Sequence, residues 1–270
     1  MIALLLALSA CGAGEVRTCV PDVDAGVAAD GGAATGGGGG SAAGGGSATG
    51  GGSATSDAGL SGYTLTWSTG FDTAADVNTG QGPLNSVSFT RFHTAPGSFR
   101  SEASGATQQS AGYRGEMQYN GAAQNPAEGR IEYWVFYENY VPTGWGGSSI
   151  QWHPNNSNSS TLFLYTTEGR FNVGRDLFGT NYYQDGDSSA GSQQVEANRW
   201  YKMSAEFKWS TGSSGYIRWY IDDTLYFSFS GRTQDDDGQP YLKIGQNRWG
   251  AVNPATVAYY DDVRIYRKDP

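Results

Sequence analysis

From Tyr63 to Tyr266 the chain repeats one pattern: short runs in which apolar or aromatic residues alternate with polar ones, separated by clusters of Gly, Asn, Asp and Ser. A period of two is the signature of a half-buried strand, because successive side chains point to opposite faces of a sheet. The runs predict strands near Tyr63–Trp67, Val87–Phe92, Tyr113–Tyr119, Arg130–Val141, Ser149–His153, Thr161–Thr166 and Arg170–Arg175. Further strands follow near Trp200–Trp209, Gly215–Ile221, Thr224–Ser230, Tyr241–Gln246 and Val257–Tyr266. No segment carries the period of an amphipathic helix. Two junctions have explicit turn chemistry. Asp222-Asp223 tolerates the positive φ of a tight primed turn, and Glu168-Gly169 joins another pair of alternating runs. About a dozen strands with long loops favour an all-β jelly-roll sandwich of two antiparallel sheets over a small barrel. Trp134, Trp200, Trp209 and Trp219 are its expected core tryptophans.

The alternation has no counterpart upstream of Gly62. Residues 21–61 are dominated by Gly, Ala and Ser, which cannot bury enough apolar surface to offset the entropy of ordering, so a flexible linker is expected. The globular domain is therefore expected to span 62–270. Residues 1–20 open with MIALLLALSACGAG, an apolar run too short to cross a bilayer. This run resembles a bacterial lipoprotein signal, which implies lipidation of Cys11, although no basic residue precedes it. The chain is then expected to be exported, as an outer-membrane or cell-surface lipoprotein whose membrane contact is the lipid anchor. Cleavage near Ala13 by an ordinary signal peptidase would make it secreted instead. Cys19 is the second of two cysteines, so the domain holds none and has no disulfide framework.

Charge narrows the partners. The chain is −9 overall, and from Ser61 onward 16 Lys and Arg face 21 Asp and Glu. An acidic domain disfavours nucleic acid, which needs a basic face. A monomer is expected.

The candidate chemistry lies on three strands. Gln151 and His153 flank Trp152 and share a face, and burying an amide and an imidazole together costs free energy unless both are satisfied. In GYRGEMQY, Arg114, Glu116 and Gln118 share a face; in YLKIGQNRWG, Tyr241, Lys243 and Gly245 do, with Asn247 and Arg248 following. Trp145, between Gly144 and Gly146, is expected in a loop, as a plug or a sugar-stacking platform. His93 is expected at a strand end, and Arg100 with Glu102 spells a second Arg-x-Glu. DDDG and YYDDV offer oxygens for calcium, but solvated acids explain them more simply, so no metal or other cofactor is expected to be required.

Arg114-Gly115-Glu116, Gln151-Trp152-His153 and Tyr241-Leu242-Lys243-Ile244-Gly245 occur in the order of three motifs in one superfamily. Across about Ala74 to Arg267 the chain resembles the jelly-roll polysaccharide lyases, the alginate-lyase, glucuronan-lyase and heparin-lyase-like group. That resemblance implies a concanavalin A-like sandwich, an acidic polysaccharide as partner, and β-elimination at a uronate. It implies catalytic roles for His153, Gln151, Arg114 and Asn247, and substrate binding by Glu116, Lys243, Tyr241, Arg248 and Trp145. The family pattern places a tyrosine, read as the proton donor, where this chain has Asn247. The resemblance then leaves Tyr113, Tyr119, Tyr165, Tyr182 and Tyr183 as candidates for the phenol, with His93 and Arg100 as secondary candidates for the site. A non-catalytic glycan-binding domain on the same fold is the alternative. A glycoside hydrolase would need paired carboxylates at defined separation, and the strand pattern Glu-x-Asp-x-x-Glu is missing.

Overall fold

The computed structural model describes residues 60–77, 82–109, 112–140, 145–153, 162–167, 169–177, 180–185, 193–235, 238, 240–248 and 254–270. Cys11, the linker up to residue 59, Glu168, Asp236 and Asp237 lie outside the described residues. Among those described, the strands in chain order are β1 (Tyr63–Thr69), β2 (Ser86–Ser88), β3 (Ser98–Ala103), β4 (Gln108–Gln109) and β5 (Gly112–Tyr119). Next come β6 (Glu128–Glu138), β7 (Trp145–His153), β8 (Leu162–Thr167), β9 (Arg170–Leu177) and β10 (Thr180–Asp185). The chain closes with β11 (Trp200–Lys208), β12 (Gly215–Ile221), β13 (Thr224–Gly231), β14 (Tyr241–Arg248) and β15 (Thr256–Lys268). Among the described residues, two single-turn 3-10 segments accompany them.

The strands form two antiparallel sheets. One has the order β13-β12-β11-β6-β15-β3-β2, with β1 also paired to β15; the other has the order β10-β9-β8-β7-β14-β5-β4. This is the jelly-roll sandwich, and the period of two explains it: each sheet turns one apolar face to the other. Trp152, Ile150, Leu242, Ile244, Met117, Leu164 and Val173 supply one inner face; Trp219, Tyr201, Tyr133, Tyr260, Phe207 and Ile265 supply the other. Trp152 packs against Phe207, Trp209 and Trp219 with ring centroids 5.3, 5.6 and 6.0 Å apart. The Asp222-Asp223 hairpin takes the positive φ its sequence allows, 49° and 61°.

Alternation predicts which residues share a face, not which face is inside. Trp134 lies between the fully buried Tyr133 and Val135 and therefore points outward, and Trp200 stands opposite Phe136 on the same outer side. These two are not core tryptophans; the imidazole of His93 stacks on Trp134 at 3.7 Å. β2 ends at Ser88 rather than reaching Phe92. β3 went unpredicted because, apart from Phe99, its inner positions are the small residues Ser101 and Ala103. Trp145 begins β7 rather than lying in a loop.

Candidate active site

The three polar faces meet in the middle of the seven-stranded sheet, because β14 pairs with β5 on one side and β7 on the other. Lys243 stands opposite Gln118 and Gln151, Gly245 opposite Glu116, Asn247 opposite Arg114 and Ser148, and Tyr241 opposite His153. Core residues Leu242, Ile244, Met117, Ile150 and Trp152 alternate with them, so these polar side chains emerge together on the outer face.

They are joined by a continuous line of contacts. The Arg114 guanidinium donates from Nη1 to Glu116 Oε2 at 3.1 Å. Gln151 Nε2 donates to the other Glu116 oxygen, Oε1. Gln151 Oε1 then faces His153 Nε2 at 2.9 Å. Since the Gln151 amide turns its oxygen to the imidazole, the network places the proton of a neutral His153 ring on Nε2. The Tyr241 ring stacks beside the imidazole, centroids 5.3 Å apart at 15°, and Lys243 Nζ lies 5.7 Å from that ring's centroid.

Most of this cluster is enclosed: Glu116 is 1% exposed, Gln151 3%, Lys243 4%, Asn247 4% and His153 5%. Tyr241 is half-buried and the Arg114 side chain 14% exposed, so a ligand meets these two first. Burial pushes the Glu116 carboxyl up to about 6, against the pull of Lys243 and Arg114. Burial likewise holds Lys243 below its ordinary value, with Glu116 opposing and Arg114 adding to it.

The Glu116 shift has a definite sign. A folded-state pKa above the ordinary 4.5 means that folding favours the protonated carboxyl. Its stabilising contribution is complete below about pH 4.5 and is lost as pH rises through about 6. Urea unfolding of wild type and Glu116→Gln should therefore diverge between pH 4.5 and 7, with wild type losing on the order of 2 kcal/mol relative to the variant. A pH-independent difference would contradict the assignment.

Several sequence candidates fall elsewhere. Arg100 pairs with Glu102 at 2.7 Å, but β3 belongs to the other sheet, so Arg114-Gly115-Glu116 is the site's Arg-x-Glu. His93 lies on that other sheet's outer side, where Nδ1 meets Asp262 Oδ2 at 3.0 Å. Tyr113 alternates with Arg114 and so lies on the opposite face from it; Tyr119 likewise packs on Trp67 at 4.7 Å. Arg248 also alternates away from Asn247, is 3% exposed, and donates from Nη1 to Pro254 O at 3.2 Å. The side chains of Trp145, Tyr165, Tyr182 and Tyr183 lie outside the described residues. Register sets the Cα of Tyr165 opposite Ser148, which in turn stands opposite Asn247. Among the described residues, no three His, Cys, Asp or Glu side chains converge as metal ligands would.

A family model described as polysaccharide lyase matches residues 66–264. The chain belongs to the polysaccharide lyase family. Solved structures share the fold of this lyase. An endo-β-1,4-glucuronan lyase from the fungus Trichoderma reesei superposes with a TM-score of 0.57 at 11% identity, over 70% of this chain and 89% of that one. A marine alginate lyase from Aplysia kurodai gives a TM-score of 0.52 at 13% identity, over 75% of this lyase and 98% of the other chain. No curated protein sequence matches the lyase. The one site feature that sequence reasoning left unused is Tyr241 as a neighbour of His153. Its signal is the strand register that pairs the two motifs.

Proposed function

We propose that this polysaccharide lyase cleaves a uronate-containing polysaccharide by β-elimination. The observation that carries the reading is the line Arg114–Glu116–Gln151–His153, which runs from a guanidinium to an imidazole across one sheet face. Arg114 and Lys243 surround the single carboxylate of Glu116, giving the cluster a net positive charge on an acidic protein. A local cationic patch of that kind suits an acidic chain and not a neutral glucan.

Elimination removes the proton on C5 and expels the oxygen on C4. The C5 proton is weakly acidic unless the adjoining carboxylate is neutralised, so that charge flowing into it is stabilised as the bond breaks. Arg114, partly exposed at the head of the line, takes that carboxylate. His153 accepts the proton while Gln151 and Glu116 hold its ring, and a neutral imidazole has the basicity for this near neutral pH.

The test is incubation of the full chain with alginate, glucuronan, hyaluronan and heparin, following ultraviolet absorbance of the unsaturated end. Absorbance growing with one acidic polymer is expected. Tight binding without product on every polymer would replace the lyase reading by the glycan-binding one.

A further inference from the structure

We propose that Tyr241 is the proton donor of this site, delivering its phenolic proton to the oxygen that leaves C4. The proposal rests on the β-elimination reading and names the group that reading lacks, since Asn247 cannot transfer a proton in that role.

Three observations place the phenol there. First, register sets Tyr241 directly opposite His153 on neighbouring strands, six residues along β14 from Asn247 and on the same face as Lys243. Opposed residues on one face of antiparallel strands bring their side chains within contact, and these two rings stack at 5.3 Å. Second, exposure separates the groups by task. His153, Lys243, Glu116 and Gln151 are each 5% exposed or less, whereas Tyr241 is half-buried, so its phenol is more open to a bound chain than the imidazole it stacks on. Third, the charges around it suit a donor. Burial raises the phenol's pKa, the Glu116 carboxylate adds to this and Arg114 opposes it, so Tyr241 keeps its proton at neutral pH. The groups facing the phenol from the packed strands are His153 on β7, Glu116 and Arg114 on β5, and Lys243 on its own strand.

The step balances without an added reactant. His153 takes the C5 proton, and the C5–H electron pair becomes the C4=C5 double bond. The C4–O pair departs on oxygen, which receives the proton of Tyr241. The resulting phenolate and imidazolium then return to their resting forms by proton exchange, directly or through water.

Tyr241→Phe keeps the stacked ring and removes only the hydroxyl, so the fold should persist, checked by an unchanged thermal midpoint. On the polymer that wild type cleaves, the variant should lose about a hundredfold or more in kcat, within the range of a positioned acid, with KM changed less than threefold. Its pH–rate profile should lose the alkaline limb. A synthetic uronate carrying an electron-poor aryloxy group at C4, whose departure needs no proton, should be cleaved by variant and wild type at similar rates. Wild-type kcat and an intact alkaline limb in Tyr241→Phe would overturn the proposal while leaving β-elimination standing; an equal loss on the activated substrate would also overturn it. A wild-type chain that forms no unsaturated product from any polymer or from the activated uronate would remove the β-elimination reading itself, and Tyr241's role with it.

Discussion

Replacing His153 with Ala should reduce the formation of unsaturated product by about 10²- to 10⁴-fold, the usual share of a positioned general base. The residual rate should also lose the acid limb of its pH profile, because the group whose protonation stops the reaction is gone. The pH readout separates catalysis from architecture. His153 is 5% exposed and bonded to Gln151, so its removal also leaves a buried amide oxygen short of a donor, at a cost of roughly 1–3 kcal/mol in stability. A variant that was merely loosened would keep the acid limb at reduced amplitude. Unchanged product formation would show that His153 is an internal strut, and the base would have to be sought elsewhere on the sheet.

The sequence made the line of contacts readable only in part. Gln151 and His153 had to share a face because they are two residues apart, and the same holds for Arg114 with Glu116 and for Tyr241 with Lys243. That the three strands lie side by side is a matter of topology, with β14 between β5 and β7, and local periodicity carries no information about it. The two Arg-x-Glu sequences illustrate the limit. Arg100-Ser101-Glu102 and Arg114-Gly115-Glu116 form equivalent ion pairs, but one lies in each sheet, and only pairing with β14 brings Glu116 to Gln151. Trp134 and Trp200 show the same limit on the other sheet, where alternation fixed the common face and not its direction. Enclosure was equally hidden. Gln151 spends an amide hydrogen on Glu116 and its oxygen on His153, contacts that periodicity alone does not show.

Gly245→Ala should destabilise the domain by on the order of 3–5 kcal/mol, read from urea midpoints, and should abolish cleavage even where the variant is still folded. Gly245 has φ of 126°, a conformation that side chains rarely adopt. A Cβ there would also sit 2.9 Å from Glu116 Cα and run into the carbonyl oxygen of Gly115 on the paired strand. The strain cannot be relieved by moving β5. Ser101 Oγ donates to Gly115 O at 2.5 Å and accepts the Gln246 N–H at 2.8 Å, tying both strands to β3 of the opposite sheet. Gly245 lies within a β-bulge. Against β7, Ile244 pairs with Ile150 and Asn247 with Ser148, so two residues of β14 oppose one of β7. A regular ladder would put Gln246 opposite Ser148, and a one-residue slip exchanges the faces of a strand. The bulge thus lets Gln246 reach Tyr260 in the core, Nε2 to Oη at 3.1 Å, while Asn247 stays in the row of Arg114. Gly105→Ala is the control, with nothing within 4 Å of the added methyl, and should change stability by less than about 0.5 kcal/mol. If Gly245→Ala behaved like Gly105→Ala, the bulge would not be what holds the two halves of β14 to their separate faces.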